Sequence, residues 1–545
     1  MRFRYIACVV PGALFLLAVG LYVDRVEDEV VREFPDRAPE QERRDLRGLT
    51  PGGPGAGSER AVAGDPEGGW EEAAPPGVFE NDMILRFRDG EDRRRFLSEI
   101  ADLDVRQVET IPGLNVVRIR YGDSRTGARL RKLLPPGASA EYNHLVLSPT
   151  LPPPVEEVES GPFYGFGDNL LRWLGVPEDN RDWGRGVTVA VLDTGIVRHP
   201  VFEGAFIPVV DLLGDNASGF SYHGHGTAVA SLMGGRRGVA PGANLFGVRV
   251  LDGDGAGTSF HLAQGIFEAV NRGAQVIPMA LGTYGDSALL REAVLYAREK
   301  GVVLLAAAGN EGLQGLPYPA AYDEVIAVTA IDAERRRPPF ANVDSRVDIA
   351  APGVGILAAW ENEESIEFSG TSAAVAVTGG VVAALLSQEP TLSPTRITEI
   401  LRGNADDVGA PGPDSETGAG VLNPRRIFNR DEPGIYDLAL AGFYLSPEAR
   451  EGDGPLQVMV QNRGTETVND VQVDVVFDGE GRRFEIGSLG VNEVGVAELT
   501  LPLERLTAPG GIEVLARTHA PRIEDRHPEN NVKGARIGLA PEVEE

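Results

Sequence analysis

Val187-Thr-Val-Ala-Val-Leu-Asp-Thr-Gly195 is an apolar run of strand length that closes on a carboxylate and a glycine. A run this apolar has no face to leave in water, so it suits a strand buried on both sides of a sheet. Four similar runs follow at 245–250, 276–281, 302–308 and 325–330. Between them, 259–272 and 289–300 carry helical periodicity, and Ser393-Pro394 opens a helix ahead of Ile397 and Ile400. Strands alternating with helices predict an α/β fold, a doubly wound parallel sheet, over residues 163–430. Such sheets bind ligands beyond the carboxyl ends of their strands, which is where Asp193 falls.

The pattern changes on either side of this segment. Upstream, Met83-Ile-Leu-Arg-Phe-Arg88 and Asn115-Val-Val-Arg-Ile-Arg-Tyr121 read as strands, 92–103 and 126–134 as helices, and Glu141-Tyr-Asn-His-Leu-Val-Leu147 as a last strand. That order, β, α, β, α, β, predicts a small two-layer α+β unit over 80–148. The connection 149–162, with Pro152-Pro-Pro154 and three glutamates, is extended, polar and open to cleavage. Downstream, 431–540 shows strands alone: Leu456, Val458 and Val460 alternate with Gln457, Met459 and Gln461, and Val471, Val473, Val475 and Phe477 repeat the period. Turn signals at Asn462-Arg-Gly464 and Asp478-Gly479 separate them, as in an all-β, immunoglobulin-like sandwich.

The chain has 545 residues, too many for one ordinary domain. Its net charge of −30 repels phosphate backbones, which excludes nucleic acid as a partner. Cys8 is the only cysteine, so there is no internal disulfide and stability comes from packing. Arg2 and Arg4 precede an uncharged run, residues 5–23, which an acidic stretch follows. As a helix, that run would reach ~28 Å, close to the ~30 Å of a bilayer core. Ala18-Val-Gly20 also has the small residues of a cleavage site, so 1–23 is read as a signal peptide or a membrane anchor. In both readings the basic flank stays inside and the rest is exported, to be secreted, periplasmic or held at the cell surface. Residues 24–79, rich in Pro, Gly and charge, cannot bury enough apolar surface to offset ordering entropy, and are read as a disordered linker.

Four places in the central segment supply the parts that metal-free peptide hydrolysis needs: a nucleophile, a base, a carboxylate to orient the base, and donors for an oxyanion. Asp193 ends its strand. His225 opens a helix of small residues in His-Gly-His-Gly-Thr-Ala-Val-Ala-Ser231. Ser372 lies in Ser-Gly-Thr-Ser-Ala-Ala374, where a long apolar helix begins with free N–H groups and a favourable dipole. Asn310 follows another strand end in Ala-Ala-Ala-Gly-Asn-Glu-Gly312. Each alone is an ordinary cap, turn or loop residue; the order Asp, His, Asn, Ser, with gaps of 32, 85 and 62 residues, makes a constellation.

With these motifs in view, the segment from Trp173 to Phe428 resembles the subtilase family. The resemblance extends to Gly-Val-Ala-Pro-Gly-Ala243, Val-Arg-Val-Leu-Asp252, Ala-Pro-Gly353 and Gly-Ala-Gly-Val-Leu-Asn423. It implies a serine endopeptidase with Ser372 as nucleophile, His225 as general base and acid, Asp193 as the group that fixes the histidine's tautomer, and Asn310 as oxyanion donor. It implies protein or peptide substrates, bound as an added strand between Gly255, Ala256 and Gly257 on one side and Ala280, Leu281 and Gly282 on the other. The chain departs from the family at Pro278 and Ala280, where Asn and Ser are usual, at Ala228, where a second His is usual, and at Ala376, where Pro is usual. None of these removes a catalytic group. Residues 80–148 resemble the subtilase prodomain, which implies that the chain carries its own inhibitor and matures by self-cleavage within 149–162. Residues 431–540 resemble a CARDB-type adhesion domain through Val-Gln-Asn-Arg-Gly464 and His-Pro-Glu-Asn-Asn531.

Metal chemistry has little basis in these residues. No His-Glu-x-x-His occurs, His223 and His225 are two apart and cannot share a helix face, and Asp252-Gly-Asp254-Gly lacks the remaining ligands of a calcium loop. No cofactor is required, no metal site is assigned, and the structural calcium common in the family has no residues assigned to it. Gly253-Asp-Gly-Ala-Gly257 lacks the spacing of a dinucleotide fingerprint. The rival reading from another class is a fold that is inactive, or that cuts only itself, and serves as a surface binding or adhesion module.

Overall fold

A computed structural model describes residues 76–538 apart from 112, 150–162, 203–206, 215–222, 446–453, 478 and 509. The export segment 1–23, nearly all of the linker 24–79 and most of the connection 149–162 lie outside the described residues.

The N-terminal unit runs β1 (Val78–Arg86), α1 (Gly90–Glu99), β2 (Val105–Thr110), β3 (Val116–Tyr121), α2 (Ser124–Lys132) and β4 (Ser139–Leu147). Its antiparallel sheet has the order β2-β3-β1-β4. The inward residues Leu85, Val117 and Ile119 pack on Phe96 of α1 and Leu130 of α2. The sequence reading missed β2, which lies at the sheet edge with most of its side chains exposed, so no apolar alternation marks it. Both helices also start earlier than their apolar periodicity suggests. Asp89 caps α1 by accepting from Glu91 N and Asp92 N, and Asp123 caps α2 by accepting from Thr126 N. A cap of this kind contributes about 1 kcal/mol.

The central unit contains β5 (Thr188–Asp193), β6 (Val209–Asp211), α3 (His225–Gly234), β7 (Asn244–Arg249), β8 (Ala256–Thr258), α4 (Ser259–Asn271), β9 (Val276–Met279), α5 (Ala288–Glu299), β10 (Val303–Ala307), β11 (Ile326–Ile331), β12 (Ile349–Pro352), the hairpin β13 (Ile356–Ala359) and β14 (Ser365–Phe368), α6 (Thr371–Gln388) and α7 (Pro394–Gly403). Seven strands form a parallel sheet in the order β12-β11-β10-β9-β5-β7-β6. Because strands point alternate side chains to opposite faces, each strand feeds two cores. Val189, Val191, Leu305 and Val328 face α3, α6 and α7, while Ala190, Leu192, Leu304 and Ala306 face α4 and α5. This is the doubly wound α/β fold expected, and the chain reverses its direction across the sheet between β5 and β9. Asp193 therefore ends a strand at the topological switch point.

Helix α6 is long and apolar enough to cross a bilayer, but it is apolar all round because it is a core helix: every residue from 371 to 386 is buried. Its glycines permit close approach. A Cβ at Gly380 would lie 2.6 Å from Val239 Cβ.

The C-terminal unit stacks β15 (Leu438–Leu445), β16 (Gly454–Asn462) and β19 (Val494–Leu501) against β18 (Glu480–Leu489), β17 (Val468–Phe477), β20 (Ile512–His519) and β21 (Val532–Ile537). Leu456, Val458, Val460, Val471, Val473 and Val475 fill the core between the sheets. The polar positions of β16 are not all in water as the alternation suggested: Met459 and Gln461 are also buried. Gln461 faces the central unit, donating from Nε2 to Ala405 O at 3.0 Å and accepting at Oε1 from Asp407 N at 3.0 Å.

Candidate active site

Three elements converge at the carboxyl edge of the parallel sheet. Asp193 is the last residue of β5, His225 the first of α3, and Ser372 the second of α6. Both Asp193 carboxylate oxygens lie 2.9 Å from His225 Nδ1, and His225 Nε2 lies 3.2 Å from Ser372 Oγ. All three side chains are buried. A carboxylate can only accept, so Nδ1 carries the proton and Nε2 is left to accept from the serine hydroxyl.

Local sequence explains how the groups are held. Thr194 N donates to Asp193 Oδ1 at 2.7 Å, and Thr194 Oγ1 donates to His223 O at 2.7 Å while accepting from Gly226 N at 3.2 Å, so one threonine ties the end of β5 to the start of α3. Glycine is required after His225, since a Cβ at 226 would lie 2.3 Å from Gly195 O and 3.0 Å from Asp193 Cβ. The Phe368 ring meets the His225 ring edge-on at 5.4 Å, closing one side of the imidazole. Burial, together with neighbouring His225, pushes His223 below the ordinary imidazole value.

Asn310 lies beside Ser372 through Thr371. Its Oδ1 accepts from Thr371 N and from Thr371 Oγ1, each at 2.9 Å. With the carbonyl end of the amide fixed there, Nδ2 turns toward Gly370, where it would lie 2.7 Å from an added Cβ. Gly370 has φ +133, and its freedom from a side chain leaves the space in front of the α6 N-terminus open. The arrangement places two kinds of donor side by side: an amide N–H₂ and the backbone N–H groups of the first turn of α6.

The residues read as walls of a peptide cleft flank the end of β4. Leu145, Val146 and Leu147 pair antiparallel with Thr258, Gly257 and Ala256 of β8. On the other side, Leu147 N donates to Gly282 O and Gly282 N to Leu147 O, both at 2.9 Å, while Ser148 N donates to Gly255 O at 2.9 Å. Ala280 and Leu281, just before Gly282, are buried, Leu281 within the core that Val146 also enters. The N-terminal unit thus supplies a strand between Gly255–Gly257 and Gly282.

Sequence reasoning missed the contacts that seat this unit. Glu141 Oε2 accepts from Ala288 N at 2.7 Å and Oε1 from Leu289 N at 3.1 Å, at the N-terminus of α5. Asn143 Oδ1 accepts from Phe260 N at 3.1 Å and Ser259 Oγ at 3.2 Å, at the N-terminus of α4. Glu109 Oε2 lies 2.9 Å from His261 Nε2, also on α4. The signal was a pair of polar residues, Glu141 and Asn143, spaced by two and so on one face of the last strand. Among the described residues there is no cluster of three or more His, Cys, Asp or Glu arranged to hold a metal.

Comparison with known proteins bears on the same region. Residues 184–420 match the subtilase family profile. A thermostable alkaline protease of Halalkalibacterium halodurans is 38% identical over 239 residues, which make up 42% of this chain and 64% of that relative, so the chain spans just under two thirds of its length. Subtilisin BL of Lederbergia lenta is 35% identical over 250 residues, 44% of this chain and 90% of the relative. Among solved structures, fervidolysin from Fervidobacterium pennivorans, described as a keratinolytic enzyme related to subtilisin, shares the fold with a TM-score of 0.56 at 23% identity, covering 86% of this chain and 77% of its own.

Proposed function

Since the chain belongs to the subtilase family, we propose that it is a serine endopeptidase in which Asp193, His225 and Ser372 form the catalytic triad and Asn310 is the side-chain oxyanion donor. The observation that carries the reading is the unbroken relay of hydrogen-bond distances from Asp193 through His225 to Ser372 Oγ at 3.2 Å. His225 Nε2 takes the hydroxyl proton as Ser372 Oγ attacks the peptide carbonyl, and Asp193 stabilises the imidazolium that forms. The tetrahedral oxygen receives hydrogen bonds from Asn310 Nδ2 and the Ser372 backbone N–H, at the positive end of the α6 dipole. His225 then gives its proton to the leaving amine, and water repeats the sequence on the acyl-enzyme. General acid–base transfer of this kind contributes about 10² to 10⁴ in rate.

In this reading the substrate takes the place that the end of β4 occupies, pairing with Gly255, Ala256, Gly257 and Gly282 along walls to which Ala280 and Leu281 belong. Residues 80–148 are then a prodomain that blocks the cleft in the manner of a bound peptide, and self-cleavage within 149–162 releases the mature enzyme. Residues 1–23 direct export, and the sandwich of 431–540 is an appendage that supports the catalytic unit. No cofactor takes part, and structural calcium has no assigned ligands.

The test is to express residues 80–545 as wild type and Ser372→Ala and follow casein hydrolysis together with intact mass. The proposal requires casein turnover and a cut between 148 and 162 in the wild type, with both absent from Ser372→Ala. Turnover that survives the substitution would remove Ser372 from its assigned role.

A further inference from the structure

Asn342 lies in the loop between β11 and β12 and is wholly buried. Every polar atom of its side chain is engaged with residues around Asn310. Its Oδ1 accepts from Glu311 N at 3.2 Å and Leu313 N at 2.8 Å, while its backbone N donates to Gly309 O at 3.2 Å. The two residues that flank Asn310 are therefore both bonded to one asparagine. On the other end of the amide, Nδ2 donates to Tyr284 Oη at 2.8 Å and Glu311 Oε2 at 3.1 Å, and Tyr284 Oη donates to the same Glu311 oxygen at 2.7 Å. Tyr284 comes two residues after Gly282, so this triangle joins one wall of the peptide cleft to the loop that carries Asn310.

The fit leaves no slack. Gly309 has φ +101, and a Cβ there would lie 2.3 Å from Asn342 Nδ2. Thr371 holds the amide of Asn310 against rotation and also accepts at Oγ1 from Gly309 N at 3.3 Å; Asn342 adds bonds to the backbone at 309, 311 and 313, beside the bond from Gly312 N to Phe340 O at 2.7 Å. An oxyanion donor is effective when it is already in place as charge develops, so that no reorganisation accompanies the reaction. A displacement of about 1 Å can cost on the order of 10²-fold in rate.

We propose that Asn342 is a positioning residue for transition-state stabilisation: it clamps the 309–313 loop to Tyr284 and the cleft wall, and so fixes where Asn310 Nδ2 meets the oxyanion. The proposal rests on the serine endopeptidase reading. It makes Asn342 act through Asn310, which a merely structural asparagine would not.

A double-mutant cycle on the full chain separates the two roles. Wild type, Asn342→Ala, Asn310→Ala and the double variant are assayed on a chromogenic peptide anilide, with active sites counted by an acylating titrant so that misfolded protein does not enter kcat. The expected result for Asn342→Ala is a kcat lower by about tenfold to a hundredfold with KM changed by less than about twofold. In the Asn310→Ala background the same substitution should cost less than about threefold. Equal fold losses in the two backgrounds, or an unchanged kcat, would overturn the proposal. If Asn342→Ala does not fold, Tyr284→Phe decides: it removes one hydroxyl from a partly exposed side chain, and should lower kcat by about twofold to fivefold in the wild type but not in Asn310→Ala. A wild-type enzyme as inert as Ser372→Ala would overturn the endopeptidase reading and this proposal with it, whereas an active wild type with additive losses would overturn this proposal alone.

Discussion

One amide does two jobs at Asn310. Its oxygen is fastened by Thr371 N and Oγ1, and that fastening directs its nitrogen toward the open space before Gly370. Asn310→Ala is expected to lower kcat by about 10² to 10³ with little effect on KM, the loss known for the corresponding donor in a subtilisin and carried over here. Steady-state kinetics check it, and a KM effect without a kcat effect would contradict it. The four residues of this proposed site were legible only together: each alone is an ordinary cap, turn or loop residue, and their short motifs at strand ends and helix starts, in the order Asp, His, Asn, Ser, made the pattern. Thr194, Thr371 and Asn342 were not legible. Their importance lies in which backbone atoms they reach across the fold, and Thr194 and Asn342 differ little from the loop residues around them.

At the scale of elements, apolar content separated what sequence could disclose from what it could not. The central strands were plain because both faces are buried, and helix α6 was plain because it is apolar all round. Strand β2 was hidden, since an edge strand with exposed side chains has no period to read. The last strand of the N-terminal unit was recognised as a strand, but not as one whose carboxylate serves another element. Burial pushes the Glu141 carboxyl up, against the opposing effect of hydrogen bonds from Ala288 N and Leu289 N. The N-terminus of α5 nonetheless receives both of its oxygens. Glu141→Ala leaves those donors unmet and is expected to weaken the hold of the N-terminal unit on the central one by roughly 1–2 kcal/mol, or about 5- to 30-fold in Kd. Competition between the N-terminal unit and a fluorescent substrate measures this. An unchanged inhibition constant would show that the capping contact contributes nothing to docking.

The described residues form three units joined at two seams, and the C-terminal seam is polar. Burial would raise the Asp406 carboxyl, but Arg463, Arg335 and Arg426 outweigh it and hold Asp406 below the usual range. Asp407, one residue on, goes the other way: burial, with Asp414 nearby, pushes it up to about 6 against the Gly412 N–H that opposes the shift. A carboxyl whose folded pKa is raised favours folding below its unfolded value near 4, and that contribution is lost as pH rises through 6. Asp407→Asn removes the titration, so the variant should gain on the wild type by roughly 1–2 kcal/mol between pH 4 and pH 8. Denaturant unfolding at the two pH values reads the difference, and a pH-independent gap would refute it. The polar face of β16 showed in the sequence as an ordinary alternation, and only the fold reveals that Gln461 meets a second unit. A serine endopeptidase built on this triad needs Ser372 as an activated nucleophile. Its most direct test is to treat the full chain with a fluorophosphonate and map the adduct by mass spectrometry. One equivalent on Ser372, abolished by His225→Ala, is the predicted result; no adduct, or one on another residue, would contradict it.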